Sequence, residues 1–302
     1  MRKINILLGT LFFLSACTGT VATPSLIPPP TETQTPLPRP QIVSASATSS
    51  PAWTDTPEPT LTASPIPTPT WFVHGPGDVT IPILLYHRID VSPINSRYYV
   101  PPEKFEQEIK ALQDWGYTTI STQMLVQAIS MGRELPPHPI LITFDDGHLD
   151  NYANAFPIMQ KYGFTGVLYI VANYLGTDGF MNRDEILAMH DAGWEVGSHS
   201  LNHYDLTKLS PQEQRSEIVG SKERLEKELG IDILTFAYPF GARDAAVTDY
   251  VRFAGYIAAM GAEGYTDSQG EWNLFNLQRV EIKASENIQS MTRFLTWHGP
   301  SE

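Results

Sequence analysis

The sequence has almost no cysteine, because Cys17 is the only one among its 302 residues. A single thiol cannot form an intramolecular disulfide, so the folded part must depend on its hydrophobic core. Positive charge is also scarce, with 20 Lys and Arg against 33 Asp and Glu and a formal net charge of −13. Residues 1–71 sum to zero, so the excess lies on residues 72–302. A surface of that sign repels phosphate backbones, and we expect no nucleic-acid partner.

Large apolar residues are few between residues 18 and 71, where 13 of the 25 prolines lie among Thr, Ser and Ala. Such a segment cannot bury enough apolar surface to offset the entropy of ordering it, which predicts a disordered linker. Without residues 1–71 the chain keeps about 230 residues, a size that suits one domain with a full core. We therefore expect a linker over 17–71 and one catalytic domain over 72–302.

The N-terminus has the pattern of a signal peptide over 1–16. A basic start precedes the apolar stretch from Ile4 to Leu14, which is too short to span a bilayer. Leu14-Ser15-Ala16-Cys17 resembles a bacterial lipobox, which implies a lipid anchor on Cys17 and an extracytoplasmic lipoprotein of a bacterial cell envelope. The alternative is a plain secretory signal with an incidental cysteine.

From residue 81 onward, short apolar runs alternate with stretches of helical periodicity. The runs predict strands at 82–86, 117–120, 140–144, 166–171, 194–198, 234–238, 256–260 and 277–283. The stretches between them predict helices at 103–115, 122–131, 152–162, 183–192, 211–229, 245–253 and 286–295. About eight βα units predict an α/β fold, a distorted (β/α)7-8 barrel, with a doubly wound open sheet as the alternative.

Polar residues follow several of these strands, where the reactive groups of parallel barrels gather. Asp145 and Asp146 end the third strand, before a glycine that permits a sharp turn. At such a bend one carboxylate can bind a metal while the other faces a substrate. In isolation, however, Asp-Asp-Gly is also an ordinary turn sequence.

Two histidines follow the fifth strand. His199 and His203 are four residues apart, a spacing that places both imidazoles on one face of a helical turn and suits two ligands of one Zn²⁺. Together with the strand-end aspartates they predict an Asp-His-His metal site that keeps a position open for water.

Three segments in chain order resemble motifs of a known family: TFDDG at 143–147, HSLNH at 199–203 and YPFG at 238–241. They resemble the first three motifs of the polysaccharide deacetylases, the NodB-homology domain of carbohydrate esterase family 4. The resemblance covers about residues 80–295. It implies a distorted barrel and metal-dependent removal of N-acetyl groups from amino-sugar polymers, or of O-acetyl groups from some others.

The resemblance also implies roles for individual residues. Asp145 would be the general base, while Asp146, His199 and His203 would bind a divalent metal, zinc or alternatively cobalt or nickel. The chemistry of these side chains agrees, since a divalent ion acidifies water and a neighbouring carboxylate can accept its proton.

An oxyanion donor is expected in the third motif. The resemblance places it at a backbone N–H near Tyr238 or Phe240, since Pro239 has no N–H.

Two departures from the family pattern concern supporting residues. Ala237 stands where many members have an arginine that holds the catalytic aspartate; Arg279 is a candidate replacement, or the partner of an ordinary surface ion pair. The usual C-terminal Leu-x-His motif is absent, but LLYHR at 84–88 resembles the N-terminal motif of the poly-N-acetylglucosamine deacetylase branch. We therefore expect His87 to be the general acid, with His298 as the alternative.

The sequence thus predicts a metal-dependent deacetylase acting on poly-N-acetylglucosamine, chitin-like oligomers or peptidoglycan. Two alternatives remain open at this point. One is a glycan-binding lipoprotein with a degenerate site, and the other is a metal hydrolase of small esters or amides on the same fold.

Overall fold

The computed structural model describes residues 70–262, 264 and 266–298. The predicted signal peptide, Cys17 and the linker up to residue 69 lie outside the described residues. Within the described ranges, no helix combines the length and apolar character needed to cross a bilayer.

The strands are short and lie mostly where the apolar runs predict them. They are β1 (Phe72–His74), β2 (Val79–Thr80), β3 (Ile83–Tyr86), β4 (Thr118–Thr119), β5 (Arg133–Leu135), β6 (Pro139–Phe144), β7 (Val167–Ile170), β8 (Glu195–Ser198), β9 (Thr235–Ala237), β10 (Ala258–Met260), β11 (Ser268–Gln269) and β12 (Val280–Glu281). The pairs β1–β5 and β2–β11 are antiparallel and were not predicted, because two or three residues carry no readable alternation.

The helices follow their predicted positions closely. They are α1 (Pro102–Asp114), α2 (Thr122–Met131), α3 (Phe156–Lys161), α4 (Arg183–Asp191), α5 (Pro211–Leu229), α6 (Ala245–Phe253) and α7 (Ile288–Met291). Boundary chemistry explains the agreement at α5, where Ser210 and Glu213 form a capping box and Gly230 ends the helix in the left-handed region. The helix predicted over 286–295 is wrong in length, since α7 is only one turn.

Seven strands form a parallel sheet in the order β10-β9-β8-β7-β6-β3-β12, with β4 paired to β6. From β3 to β10 the neighbours follow chain order, without the reversal of a doubly wound sheet. Leu277, shortly before β12, bridges to Met260 in β10, so the two ends of the strand order meet. The curled sheet and its helices confirm the predicted distorted (β/α) barrel.

The alternation of side chains along the strands divides the core in two. Tyr86, Phe144 and Trp194 belong to a cluster that also contains the buried apolar residues of every helix except α2. Ile83, Leu141 and Tyr169 belong to a second cluster with β9, β10 and Leu277. Alternate residues of one strand therefore face opposite sides of the curled sheet.

Candidate metal centre and active site

The strand ends bring the predicted residues together. Strands β3, β6, β8 and β9 are parallel, so the residues that follow them lie at one end of the barrel. A cavity of about 430 Å³ opens there. Its lining includes His87, Asp145, Asp146, His199, His203, Tyr238 and Phe240.

Three of these residues form a cluster able to hold a metal ion. One ligand atom from each of Asp146, His199 and His203 lies within 4.8 Å of the others. Asp146 Oδ1 is 3.6 Å from His199 Nε2 and 3.4 Å from His203 Nε2. Ligand atoms about 2.0–2.1 Å from a tetrahedral ion lie roughly 3.3 Å apart, so these separations fit such a site.

The protonation of the two imidazoles also suits metal binding. His199 Nδ1 lies 2.7 Å from the carbonyl oxygen of Ala237. A carbonyl can only accept, so Nδ1 carries a proton, and Nε2, which faces Asp146, is the ring nitrogen placed to bind a metal. Burial, and then the neighbouring His199, lower the pKa of His203 to about 4. His203 is therefore neutral at neutral pH, as a metal ligand must be.

The loop that carries His203 is fixed by α5. Glu217 on α5 is buried, and its Oε2 accepts hydrogen bonds from the backbone N–H groups of Leu201 and Asn202 at 3.0 and 2.8 Å. Ser200 Oγ accepts from the backbone N–H of His203 at 2.9 Å. Glu217 was not predicted as a site residue, although a carboxylate on the buried face of an amphipathic helix was an available signal.

Asp145 is held by a buried arginine. Arg279 donates from both terminal nitrogens to the two carboxylate oxygens of Asp145, each at 2.7 Å, and its Nε donates to the carbonyl oxygen of Gly261. Burial alone would raise the pKa of Asp145, but Arg279 and then His199 outweigh it and hold that pKa below its usual value. Asp145 is therefore ionised and able to accept a proton.

The contact between Arg279 and Asp145 resolves the departure at Ala237. An arginine reaches the aspartate from the segment just before β12 instead of from β9. Arg279 is fully buried, so it is not part of a surface ion pair.

His87 stands at the end of β3 in the same cavity. Its ring centroid lies 4.8 Å from that of Tyr98, and its buried Nδ1 has no hydrogen-bond partner among the described residues. Burial lowers the pKa of His87, and the charges of Asp145 and Asp146 partly offset this. The alternative residue, His298, is not in the cavity lining.

Trp297 lies near the opposite end of the barrel. Trp297 stacks on His138 with ring centroids 4.6 Å apart, and His138 directly precedes β6. At about 3.3 Å per residue, the length of β6 places His138 roughly 20 Å from Asp145. His298, adjacent to Trp297, is therefore far from the metal cluster.

The third motif leaves one backbone donor near the cluster. The N–H of Tyr238 donates to the carbonyl oxygen of Met260 at 3.1 Å, and its hydroxyl donates to that of Phe275 at 3.1 Å. The N–H and the hydroxyl of Tyr238 therefore both donate within the protein, and neither is the expected oxyanion donor. Phe240, with a φ of 59° and its ring 4.6 Å from that of His203, remains as the candidate.

A further histidine contacts the cluster. His148 Nε2 lies 3.3 Å from Asp146 Oδ2, and its ring stacks on Phe180 at a centroid distance of 4.8 Å. His148 was not predicted as a site residue, although its position two residues after Asp146 was a signal.

Residues 132–259 match the family model described as Polysaccharide deacetylase. That segment contains Asp145, Asp146, His199 and His203, the residues that the geometry brings together. The matched segment is a polysaccharide deacetylase domain. His87 and Arg279 lie outside the matched segment, so their place in the family pattern rests on the structure and the motif resemblance.

Known relatives and solved structures agree with this match. A Bacillus subtilis (strain 168) protein, YxkH, whose name assigns it to the same family, is 28% identical over 202 residues, 67% of this chain and 71% of its own length. The poly-beta-1,6-N-acetyl-D-glucosamine N-deacetylase of Staphylococcus aureus (strain MRSA252) is 26% identical over 172 residues, 52% of this chain and 59% of its own length.

A solved structure covers a larger part of the fold. The deacetylase PplD of Streptococcus pyogenes, in complex with acetate, superposes with a TM-score of 0.67 at 27% identity, covering 76% of this chain and 99% of that one. The comparisons support a hydrolase of the deacetylase type.

Proposed function

We propose that the chain removes N-acetyl groups from a glycan that contains N-acetylglucosamine, releasing acetate and leaving a free amine. The observation that supports this best is the adjacency of the Asp146-His199-His203 cluster to an arginine-bound Asp145 in one open cavity. The candidate polymers are poly-N-acetylglucosamine, chitin-like oligomers and peptidoglycan. The staphylococcal relative, named for the first of these, is matched over 59% of its length.

Asp146, His199 and His203 would hold a divalent metal ion, for which we propose zinc, with cobalt or nickel as substitutes. Two imidazoles and one carboxylate form a donor set that zinc enzymes use while a fourth position stays open. When bound, the ion supplies Lewis acidity, which polarises a carbonyl and acidifies water.

The remaining steps belong to residues of this chain. Asp145, ionised beside Arg279, accepts a proton from the water that attacks the acetyl carbonyl. The backbone N–H of Phe240 donates to the oxygen that gains negative charge. His87, in its protonated form, gives a proton to the departing nitrogen, so the C–N bond breaks and a neutral amine leaves. The acetic acid formed loses its proton to solvent as acetate, and Asp145 and His87 return to their starting states by proton exchange with solvent.

Acetate release from the three candidate glycans by the metal-loaded chain tests this proposal. We expect Asp145→Asn and His87→Ala each to lower kcat by about 10²–10⁴-fold, because each removes one proton transfer. Metal content, measured in parallel, should stay the same in both variants. His138→Ala, at the opposite end of the barrel, serves as the control.

Two outcomes would contradict the proposal. One is that the wild-type chain releases no acetate from any of the glycans, and the other is that His87→Ala keeps full activity. The Arg279 contact removes the support that Ala237 gave to a degenerate, purely glycan-binding site.

We further propose that the mature chain is an extracytoplasmic lipoprotein, attached to a bacterial envelope membrane through a lipid on Cys17. The lipobox-like Leu14-Ser15-Ala16-Cys17 supports this, and the proline-rich segment after it would serve as a tether. Radiolabelled palmitate should label the wild-type chain in cells and leave Cys17→Ala unlabelled. Equal labelling of both would contradict the anchor.

A further inference from the structure

A groove leads away from the metal cluster past Phe240. Phe240 and Ala262 line the central cavity and also a second cavity of about 400 Å³. Arg243 and Asn276 line this second cavity and also a third one of about 300 Å³. Because consecutive cavities share wall residues, each cavity adjoins the next, and we call the second and third cavities together the groove.

Two arginines face this groove, and neither forms an ion pair with an acidic residue in the described part of the chain. Arg243 lines the second and third cavities, and Arg252 lines the third. Across residues 70–262, 264 and 266–298, the arginine ion pairs with N–O distances up to 4.0 Å involve Arg88, Arg97, Arg183 and Arg279. Arg243 and Arg252 are not among them, although the chain has a formal net charge of −13.

Aromatic side chains accompany these arginines. The guanidinium carbon of Arg252 lies 4.0 Å from the ring centroid of Phe275. Trp272, in the same cavity, is 60% exposed, and its Nε1 donates to Asp78 Oδ1 at 3.2 Å. A fixed, exposed indole offers a flat apolar face to a sugar ring, and a stacked guanidinium presents a planar fork of donors to an anion.

We propose that this groove is a subsite for an anionic group, carboxylate or phosphate, carried by the glycan beyond the sugar whose acetamide reacts. The inference rests on the proposed deacetylase function and narrows its substrate to a polymer with acidic units. A neutral polymer offers the two guanidinium groups only hydroxyl and carbonyl oxygens, which form weaker hydrogen bonds than a charged group does. An acidic polymer would form charge-assisted, bidentate hydrogen bonds with them.

The first experiment compares acetate release by the full, metal-loaded chain from three glycans. Chitin oligomers are neutral, strands of alternating N-acetylglucosamine and N-acetylmuramic acid carry carboxylates, and poly(N-acetylglucosamine 1-phosphate) carries phosphodiesters. The variants are Arg243→Gln, Arg252→Gln and the double substitution. Arg224→Gln, an exposed arginine on α5, is the matched control.

For each protein we compare kcat/KM for a charged glycan with kcat/KM for chitin oligomers. We expect the double substitution to lower this ratio by about tenfold or more, mainly because KM for the charged glycan rises. Arg224→Gln should leave this ratio unchanged. The charged polymer that shows the larger loss identifies the anion. A loss that is equal on all three glycans, or no loss on either charged glycan, overturns the proposal.

A binding experiment separates failure of the subsite from failure of the deacetylase proposal. Calorimetry on the full-length Asp145→Asn chain measures binding of both charged polymers and of carboxylate strands whose carboxylates have been amidated. At least one charged polymer should bind about tenfold more tightly than the amidated strands, an advantage that salt weakens and the double substitution removes.

If this pattern holds while the wild-type chain releases no acetate, the subsite stands and the deacetylase proposal fails. If neither charged polymer binds more tightly than the amidated strands, the subsite is overturned.

Discussion

At the scale of single residues, the pair of Arg279 and Asp145 dominates the electrostatics of the site. Both side chains are almost completely buried, and two hydrogen bonds of 2.7 Å join them. Removing one partner of such a pair leaves an uncompensated charge in a low-dielectric environment. The pair therefore has two effects: it stabilises the barrel, and it keeps Asp145 ionised, the form that can accept a proton.

Arg279→Gln should lower the free energy of unfolding by about 3–5 kcal/mol, because it leaves Asp145 buried and unpaired. It should also raise the pKa of Asp145 and reduce acetate release. Adding Asp145→Asn to Arg279→Gln should recover part of the lost stability, since no charge then remains. Denaturant unfolding of the wild type, both single variants and the double variant measures these free energies. If the destabilisations of the two single variants add up in the double variant, the predicted recovery is contradicted.

The sequence predicted some of these residues better than others. Asp145, Asp146 and His199 directly follow strands, so a local pattern was enough to place them at one end of the barrel. The contact with Arg279 joins residues 134 positions apart, which no local pattern specifies. The N–H of Tyr238 is not the oxyanion donor because it donates to Met260, where β9 pairs with β10. This pairing is also a tertiary contact that no local pattern specifies.

At the scale of elements, β8 sets the position of His199. Gly197 in β8 is closely covered, since a Cβ there would lie 2.4 Å from Tyr169 Cε1 and 2.8 Å from Thr235 Oγ1. Only a residue without a side chain lets β8 pack between β7 and β9 as it does. His199, two residues later, depends on that fit.

Gly197→Ala should therefore lower the free energy of unfolding by about 1–3 kcal/mol, as overpacking does in a dense core. It should also weaken metal binding, because a shift of β8 moves His199. Gly220→Ala is the control: it lies within α5, and its Cβ would meet nothing nearer than 3.9 Å.

Gly220→Ala should stabilise the protein by about 0.5–1 kcal/mol, since alanine is the better helix former. Thermal unfolding and a metal titration of both variants decide the matter. If Gly197→Ala behaves like Gly220→Ala, the packing argument is wrong.

Helix α1 contains a buried acidic side chain, Glu108, which is not part of the metal cluster. Glu108 is fully buried, its Oε2 accepts a hydrogen bond of 3.0 Å from Tyr86, and its Oε1 is 3.7 Å from Lys104 Nζ. Burial raises the pKa of Glu108 to about 7, although Lys104 and Tyr86 act in the opposite direction. The folded protein thus binds this proton more tightly than the unfolded chain does.

With the folded pKa above the unfolded one, the contribution of Glu108 to stability falls as pH rises from about 4.5 to 7. The free energy of unfolding of Glu108→Gln, measured relative to that of the wild type, should therefore increase by about 2–3 kcal/mol as the pH rises from 4.5 to 8. Glu103→Gln, exposed on the same helix, is the control. A difference that stays constant with pH would contradict the buried-acid argument.

At the scale of the whole molecule, the parallel architecture followed from the alternation of strand and helix patterns, and eight predicted strands correspond to β3, β4, β6, β7, β8, β9, β10 and β12. How the strand order closes was not predictable. Met260 and Leu277 both lie in predicted apolar runs, but no local pattern indicates that these two runs lie side by side. The same segment brings Arg279 into the barrel.

Metal binding should stabilise the whole fold, because three strand-end and loop residues form one site. We expect saturating Zn²⁺ to raise the Tm of the metal-free chain, in proportion to the logarithm of its concentration above Kd. His203→Ala should lose most of this rise while leaving the metal-free Tm nearly unchanged, since its side chain is partly exposed. An equal rise in both proteins would show that the ion binds elsewhere.

The measurement that tests the central claim most directly is acetate release during a zinc titration of the metal-free chain, with an N-acetylglucosamine polymer as substrate. The account predicts no release before zinc is added, a linear rise to one equivalent, and no rise in Asp145→Asn although it binds the same one equivalent. Release by the metal-free chain, or equal release by Asp145→Asn, would contradict it.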